Sequence, residues 1–213
     1  MDKDDLVIPY NISNILISET NISDLFKKFD IIINVKNIEL YREALTHKSY
    51  IKSEYTMYHS SDLKNAKNQI KNNNIVDLRE RSSERLEFLG DTVIKCCVSK
   101  YIYLRYYNED EGFLTRIKTK IENRKSLATF AKLLGIDKYI ILSSQIELNH
   151  GRESDKLLED CFEAFMGALF LDQNFDICEN FLLILLENEI DYAEILYKDT
   201  NFKDKLLLSL IHI

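Results

Sequence analysis

Apolar positions recur with a helical period over most of the chain. In "ELYREALTHKSYI" (39–51), Leu40, Tyr41, Ala44 and Leu45 share one side, which predicts an amphipathic helix. From Ser83 to Tyr106, Leu86, Leu89, Val93, Cys97 and Tyr101 repeat at helical spacing, with Ser82 or Ser83 placed to cap the start. "NEDEG" (108–112) reads as a turn. "FLTRIKTKIENRKSLATFAKLLG" (113–135) continues as two helical pieces and closes on Gly135, a natural C-cap. "IDKYIILSSQIELNHGRES" (136–154) is short, partly apolar and loop-like. Two strongly apolar helices follow, at 156–173 and 175–196. Three stretches are weaker. Residues 1–37 hold short helical patterns such as "NISDLFKKF". Residues 52–81 are polar and read as a loop or disordered insert, above all "KNAKNQIKNNN". The tail "NFKDKLLLSLIHI" reads as one more helical stub. No internal repeat occurs.

Composition agrees with an all-α fold. Five glycines and one proline in 213 residues leave few sharp turns, and 46% hydrophobic residues suffice for a core. The charge is 28 − 35 = −7, which counts against coating nucleic acid through bulk charge but not against a nucleic-acid enzyme. Cys96, Cys97, Cys161 and Cys178 include no C-x-x-C pair, so neither zinc nor a disulfide framework is expected. They read as reduced, buried thiols of an intracellular protein. The opening "MDKDDLVIPY" is acidic and polar and is not expected to be a signal peptide. No apolar run approaches the length of a membrane span.

Two helices carry acids where burial is expected. Glu84, Glu87 and Asp91 fall at i, i+3 and i+7, one stripe of the helix that begins near Ser83. Asp160 and Glu163 fall at i and i+3 on a helix that is apolar on nearly every side, with Cβ atoms roughly 5–6 Å apart. Burying ionised carboxylates costs several kcal/mol each, and like charges add to that. Arg85, Lys95 and Lys156 are the basic residues near in sequence; a hard divalent cation such as Mg²⁺ would compensate better. Gly90 and Gly167 lie beside these acids, and glycine inside a helix costs about 1 kcal/mol against alanine, which a close approach would justify. From the residues alone, a solvated acidic face and a metal site both stand open.

The same residues carry a resemblance. "ERLEFLGD" (84–91) resembles the signature of the ribonuclease III family. "EALTHKSY" (43–50), "DEGFLTRIKTKIEN" (110–123) and "KLLEDCFEAFMGALFLD" (156–172) resemble further family segments in the family's order, so that the resemblance spans about residues 39–190. It implies an all-α, homodimeric endonuclease bundle at 39–192 with a polar insert at 52–81, an N-terminal extension at 1–38, and a tail at 193–213 similar to the opening of a truncated double-stranded-RNA-binding domain. The usage of Ile, Asn, Lys and Tyr suggests an AT-rich genome, such as that of a large DNA virus, and hence host cytoplasm.

Carried over by position, the resemblance implies metal ligands at Glu87, Asp91, Asp160 and Glu163, with Glu84 flanking them. It implies that Lys156 and Asn123 steady the site or the scissile phosphate, and that Phe88, otherwise an ordinary core residue, reaches a second subunit. The implied cofactor is Mg²⁺, for which Mn²⁺ can substitute, and no small-molecule cofactor is implied. The implied reaction is hydrolysis of double-stranded RNA by metal-assisted attack of water, leaving 5′-phosphate and 3′-hydroxyl ends with a short 3′ overhang, in RNA processing or suppression of RNA silencing. Arg116, Lys118, Lys120, Arg124 and Lys125 form a basic run that either meets RNA phosphates or is a solvated helix face. His47 reads as a structural group. Glu147 and His150 form an E-x-x-H pair, but a carboxylate-bridged metal bundle needs such a pair from two helices. The rival reading is a non-catalytic dimer of the same fold that binds duplex RNA or a protein; a weaker one is a metal-buffering or structural dimer.

Overall fold

One helix, α8 (Asp155–Asp172), forms the axis of the molecule. The structure, a computed structural model, describes residues 9–56, 58, 60–70 and 75–193. Phe162, Phe165, Met166 and Leu169 of α8 are fully buried, each contributing about 1.5–3 kcal/mol by burial. Around α8 pack α4 (Glu84–Arg105), α6 (Arg124–Leu134), α2 (Ile38–Ala44) and α9 (Phe175–Glu189). α5 (Glu111–Ile121) leans on α4, and α1 (Glu19–Lys27) adds Phe26, which stacks on Phe165 at 5.9 Å and meets Phe181 edge-on at 4.9 Å. Short α3 (Ser60–Gln69) and α7 (Ser144–Leu148) complete the set among the described residues.

α4 and α8 cross at a pair of glycines. A Cβ placed on Gly90 would lie 1.7 Å from the carbonyl oxygen of Glu163, and one on Gly167 would lie 2.3 Å from that of Leu86. The two backbones therefore touch with no side chain between them. This explains the helix-interior glycines that propensity alone disfavours.

Several elements depart from their sequence pattern for identifiable reasons. The helix expected over 39–51 stops at Ala44, because the next backbone groups are used elsewhere. The N–H of Ile141 donates to Leu45 O, that of His47 to Ile141 O, and that of Ser83 to Thr46 O, at 2.7–2.8 Å. A tight turn at Lys48–Tyr50 follows, with the Nδ1 of His47 accepting from the N–H of Ser49. These bonds hold the start of α4. Ser83 occupies the cap position there but in helical geometry, with no side-chain capping bond, contrary to the expected serine cap. Gly135 does close α6, at φ 83°.

The polar stretch 52–81 contains α3, where a loop was expected. Its few apolar groups join a second small core of Tyr10, Tyr50, Tyr55, Ile75, Leu78 and Ile141, against which Leu63 and Ile70 pack. The apolar partners come from distant parts of the chain, so local periodicity underestimates the helix. In 136–154, the guanidinium of Arg152 donates to the carbonyls of Asp137 and Ile140 and pairs with Glu147 at 2.6 Å, fixing the loop. α9 ends at Glu189, short of the expected 196, and Tyr192 folds back to 6.0 Å from the Tyr101 ring. The expected C-terminal stub lies outside the described residues, as do His59 and His212. Cys97, Cys161 and Cys178 are buried, whereas Cys96 is exposed.

Asp172, at the end of α8, is buried at 3% exposure and holds the entry to α2. Its carboxylate accepts from the N–H groups of Lys36 (3.0 Å) and Asn37 (2.7 Å) and from the Tyr41 hydroxyl (3.0 Å). Asp172→Ala leaves the buried Tyr41 hydroxyl without an acceptor and frees the two part-buried N–H groups, and we expect a loss of about 3 kcal/mol. Urea unfolding of the variant checks this, with Asp172→Asn, which keeps an acceptor, expected to lose less.

Candidate active site

The glycine crossing brings together the acids on both helices. Glu87 and Asp91 on α4 and Asp160 and Glu163 on α8 are all half-buried. Burial is the main reason the Glu163 carboxyl is pushed up to about 8, and the charges of Asp91, Glu159, Glu87 and Asp160 add to it. Glu87 is raised by burial and then by the charge of Asp160. Asp160 is raised by burial, with Lys156 opposing. Two lysines supply counter-charge: Lys95 Nζ lies 2.7 Å from Asp91 Oδ2, and Lys156 Nζ lies 3.6 Å from Asp160. Glu84, in the first turn of α4, is exposed and pairs with Lys48 at 3.7 Å.

The donor set is carboxylate oxygen throughout, which suits a hard cation such as Mg²⁺. Among the described residues, no group of three or more His, Cys, Asp or Glu side chains already converges as a metal cage. The acids share a site, while Asp91 and Asp160 are turned towards their lysines. Glu122 is a fifth acid that the sequence reading missed. It sits at the C-cap of α5 with its side chain 13% exposed. Its Oε1 is buried without a hydrogen-bond partner, and Lys118 Nζ stands 3.9 Å away. Burial pushes its carboxyl to about 7, with Lys118 and Lys95 opposing and Asp91 assisting. No local pattern marks Glu122, since only the packing of α5 on α4 brings it near Asp91.

The other expected site residues are spread around this cluster. Asn123 caps α6: its Oδ1 accepts from the Ser126 N–H, and its amide donates to Lys120 O and to the Ser126 hydroxyl. Lys156 is exposed beside Asp160. In the basic run, Arg124 is paired with Glu159 at 2.8 Å and Lys118 with Glu122. Arg116 lies over the Phe113 ring at 6.0 Å, Lys120 is half-buried, and Lys125 is exposed. Phe88 projects outward and is 79% exposed. Glu147 is held by Arg152 and by the Asn11 amide at 2.8 Å, and the exposed His150 stands at φ 57°, so this pair forms part of a loop anchor.

Acids raised by folding give stability a pH dependence. Between the ordinary glutamate value of 4.5 and about 8, the folded chain holds protons that the unfolded chain releases. Stability therefore falls as pH rises through that window. Melting in EDTA between about pH 5 and about pH 8 is expected to show this decline, and Glu163→Gln is expected to flatten it.

Comparison with known proteins bears on what this site is. Residues 37–189 match the family model described as Ribonuclease-III-like. The chain is 36% identical over 202 residues to a probable ribonuclease 3 of Acanthamoeba polyphaga mimivirus, covering 93% of this chain and 36% of that protein. It is 37% identical over 186 residues to ribonuclease 3 of Latilactobacillus sakei, covering 87% of this chain and 70% of the relative. The crystal structure of the nuclease domain of ribonuclease III from Campylobacter jejuni superposes with a TM-score of 0.61 at 29% identity, over 80% of this chain and 99% of that one. A second structure of that domain is described for flexibility in a region involved in dimer formation. No described helix is long and apolar enough to cross a membrane. The chain belongs to the ribonuclease III family, and its helical core is that family's nuclease domain.

Proposed function

We propose that this chain is a Mg²⁺-dependent endoribonuclease that hydrolyses double-stranded RNA as a homodimer. The observation that carries the reading is the placement of Glu87, Asp91, Asp160 and Glu163 on two helices locked together at Gly90 and Gly167. These four carboxylates would hold the cation, for which Mn²⁺ can stand in. When bound, such a cation would act as a Lewis acid on phosphoryl oxygen and would lower the pKa of a bound water.

The chain's own residues do the rest. Glu87, Asp160 and Glu163, raised by burial and by neighbouring carboxylates, favour a cation because it relieves that repulsion. Lys156, exposed beside Asp160, offers an ammonium to the scissile phosphate. Glu84 flanks the site and accepts the charge of Lys48. Asn123 orients the first turn of α6, where Arg124 and Lys125 meet the RNA backbone together with Arg116, Lys118 and Lys120. Double-stranded RNA is read by shape, phosphates and 2′-hydroxyls, so these contacts need no sequence specificity. Phe88, apolar and outward, inserts into the partner subunit. Products carry 5′-phosphate and 3′-hydroxyl ends with a short 3′ overhang, and the protein acts in the cytoplasm in RNA processing or suppression of silencing.

Incubation with long duplex RNA tests the reading. Cleavage to short duplexes with 5′-phosphates is expected with Mg²⁺ and none with EDTA. Duplex binding without cleavage under both conditions would favour a non-catalytic member of the family instead.

A further inference from the structure

Lys95 is paired with one carboxylate and lies within electrostatic reach of two more. It hydrogen-bonds Asp91 Oδ2 at 2.7 Å, and the charges of Glu122 and Glu163 also act on it. Glu122 comes from a different helix, and its Oε1 is buried with no hydrogen-bond partner. The nearby Lys118 stays at 3.9 Å, beyond hydrogen-bonding distance. A buried acceptor without a donor is costly, so one left in place invites a functional account. Asp91 meanwhile has its Oδ2 lone pairs directed at an ammonium, although a cation ligand must offer them to the cation.

Resting on the proposed metal site, we infer that Glu122 is a positioning residue that takes the Lys95 ammonium when a divalent cation takes Asp91. The exchange keeps every charge partnered. Asp91 leaves Lys95 for the cation, and Lys95 moves to the oxygen of Glu122 that lacks a donor. Glu122 then sets the cation affinity of the site without being a ligand. Neither residue belongs to the four acids of the proposed site.

Titration of the full chain with Mn²⁺, followed by calorimetry and by the electron paramagnetic resonance signal of free Mn²⁺, tests this. Glu122→Gln is expected to weaken Mn²⁺ binding by about ten-fold, the loss of a charged acceptor for an ammonium. Glu122→Leu, apolar at a buried position, is expected to do at least as much and carries the test should the Gln variant misfold. In a Lys95→Met background, Glu122→Gln is expected to change the affinity by no more than about two-fold, because no ammonium needs a new partner. Wild-type affinity in both Glu122 variants overturns the inference. So does an equal loss with and without Lys95, which would make Glu122 act through its charge alone. Should the wild type bind no Mn²⁺, or bind it undiminished when Glu163 is replaced by Gln, the four-acid site itself falls, and the inference with it.

Discussion

Glu163→Gln is expected to lower cleavage of duplex RNA by at least about three orders of magnitude, comparable with the loss of a principal electrostatic stabiliser in other enzymes. Glu163 carries the largest shift of the four acids, to about 8, and its own backbone carbonyl lies at the Gly90 contact. Burial is the main cause and the charges of the other three acids all add to it, so a cation would relieve its charge. The neutral amide keeps the shape and removes the charge. Helix content by circular dichroism should therefore be unchanged. Thermal stability in EDTA near about pH 8 should be equal or higher, because buried repulsion is removed. A single-turnover assay on the same preparation separates loss of chemistry from loss of RNA binding. Cleavage within ten-fold of wild type would remove Glu163 from the catalytic machinery.

Gly90→Ala is expected to be the most destabilising of the five glycine-to-alanine changes in this chain. The added Cβ would stand 1.7 Å from Glu163 O, 2.6 Å from Glu163 C and 2.7 Å from Gly167 N. All three are backbone atoms, so no side chain can swing aside. The helices must move apart, which opens the core around Leu86, Val93, Phe162 and Met166 and displaces all four acids at once. We expect a loss of at least about 3 kcal/mol, at the upper end for overpacked cores. For a chain of this size that corresponds to roughly 10 °C in melting temperature. Activity should fall even in the fraction that remains folded. Gly112→Ala is the matched control: its Cβ would meet only the side chains of Asp110 and Arg116, at 3.4 and 3.5 Å, and helix propensity favours the change. Comparable melting temperatures for the two variants would refute a backbone-to-backbone crossing.

Much of this protein is legible in its residues taken in order. The spacing of Leu86, Val93, Cys97 and Tyr101, and the unbroken apolar run of α8, specify two long helices, because a helix brings residues three and four apart to one side whatever lies beyond it. The acids at 84, 87 and 91 and at 160 and 163 stand out for the same reason, and the two misplaced glycines hint that something comes close. Shorter elements escape such reading. α3 depends on Tyr50, Tyr55 and Ile141 for its apolar partners, and the helix at 38–44 is cut short by bonds from Ile141 and Ser83, so neither outcome resides in the local pattern.

The site divides in the same way. Which carboxylates could share a site was encoded in helical periodicity and in the family signature. That they meet at all depends on Gly90 and Gly167 allowing two backbones into contact, a property of the crossing and of neither helix alone. Tertiary structure alone decided that Arg124 pairs with Glu159, whereas the Lys118–Glu122 pair and the Asn123 cap are local to their helices. It alone placed Glu122, whose neighbours in the chain are Ile121 and Asn123, beside Asp91 and Lys95. Sequence determines charge and period, which are local; burial and the choice of counter-ion depend on which helix packs on which, and those are set by the fold as a whole.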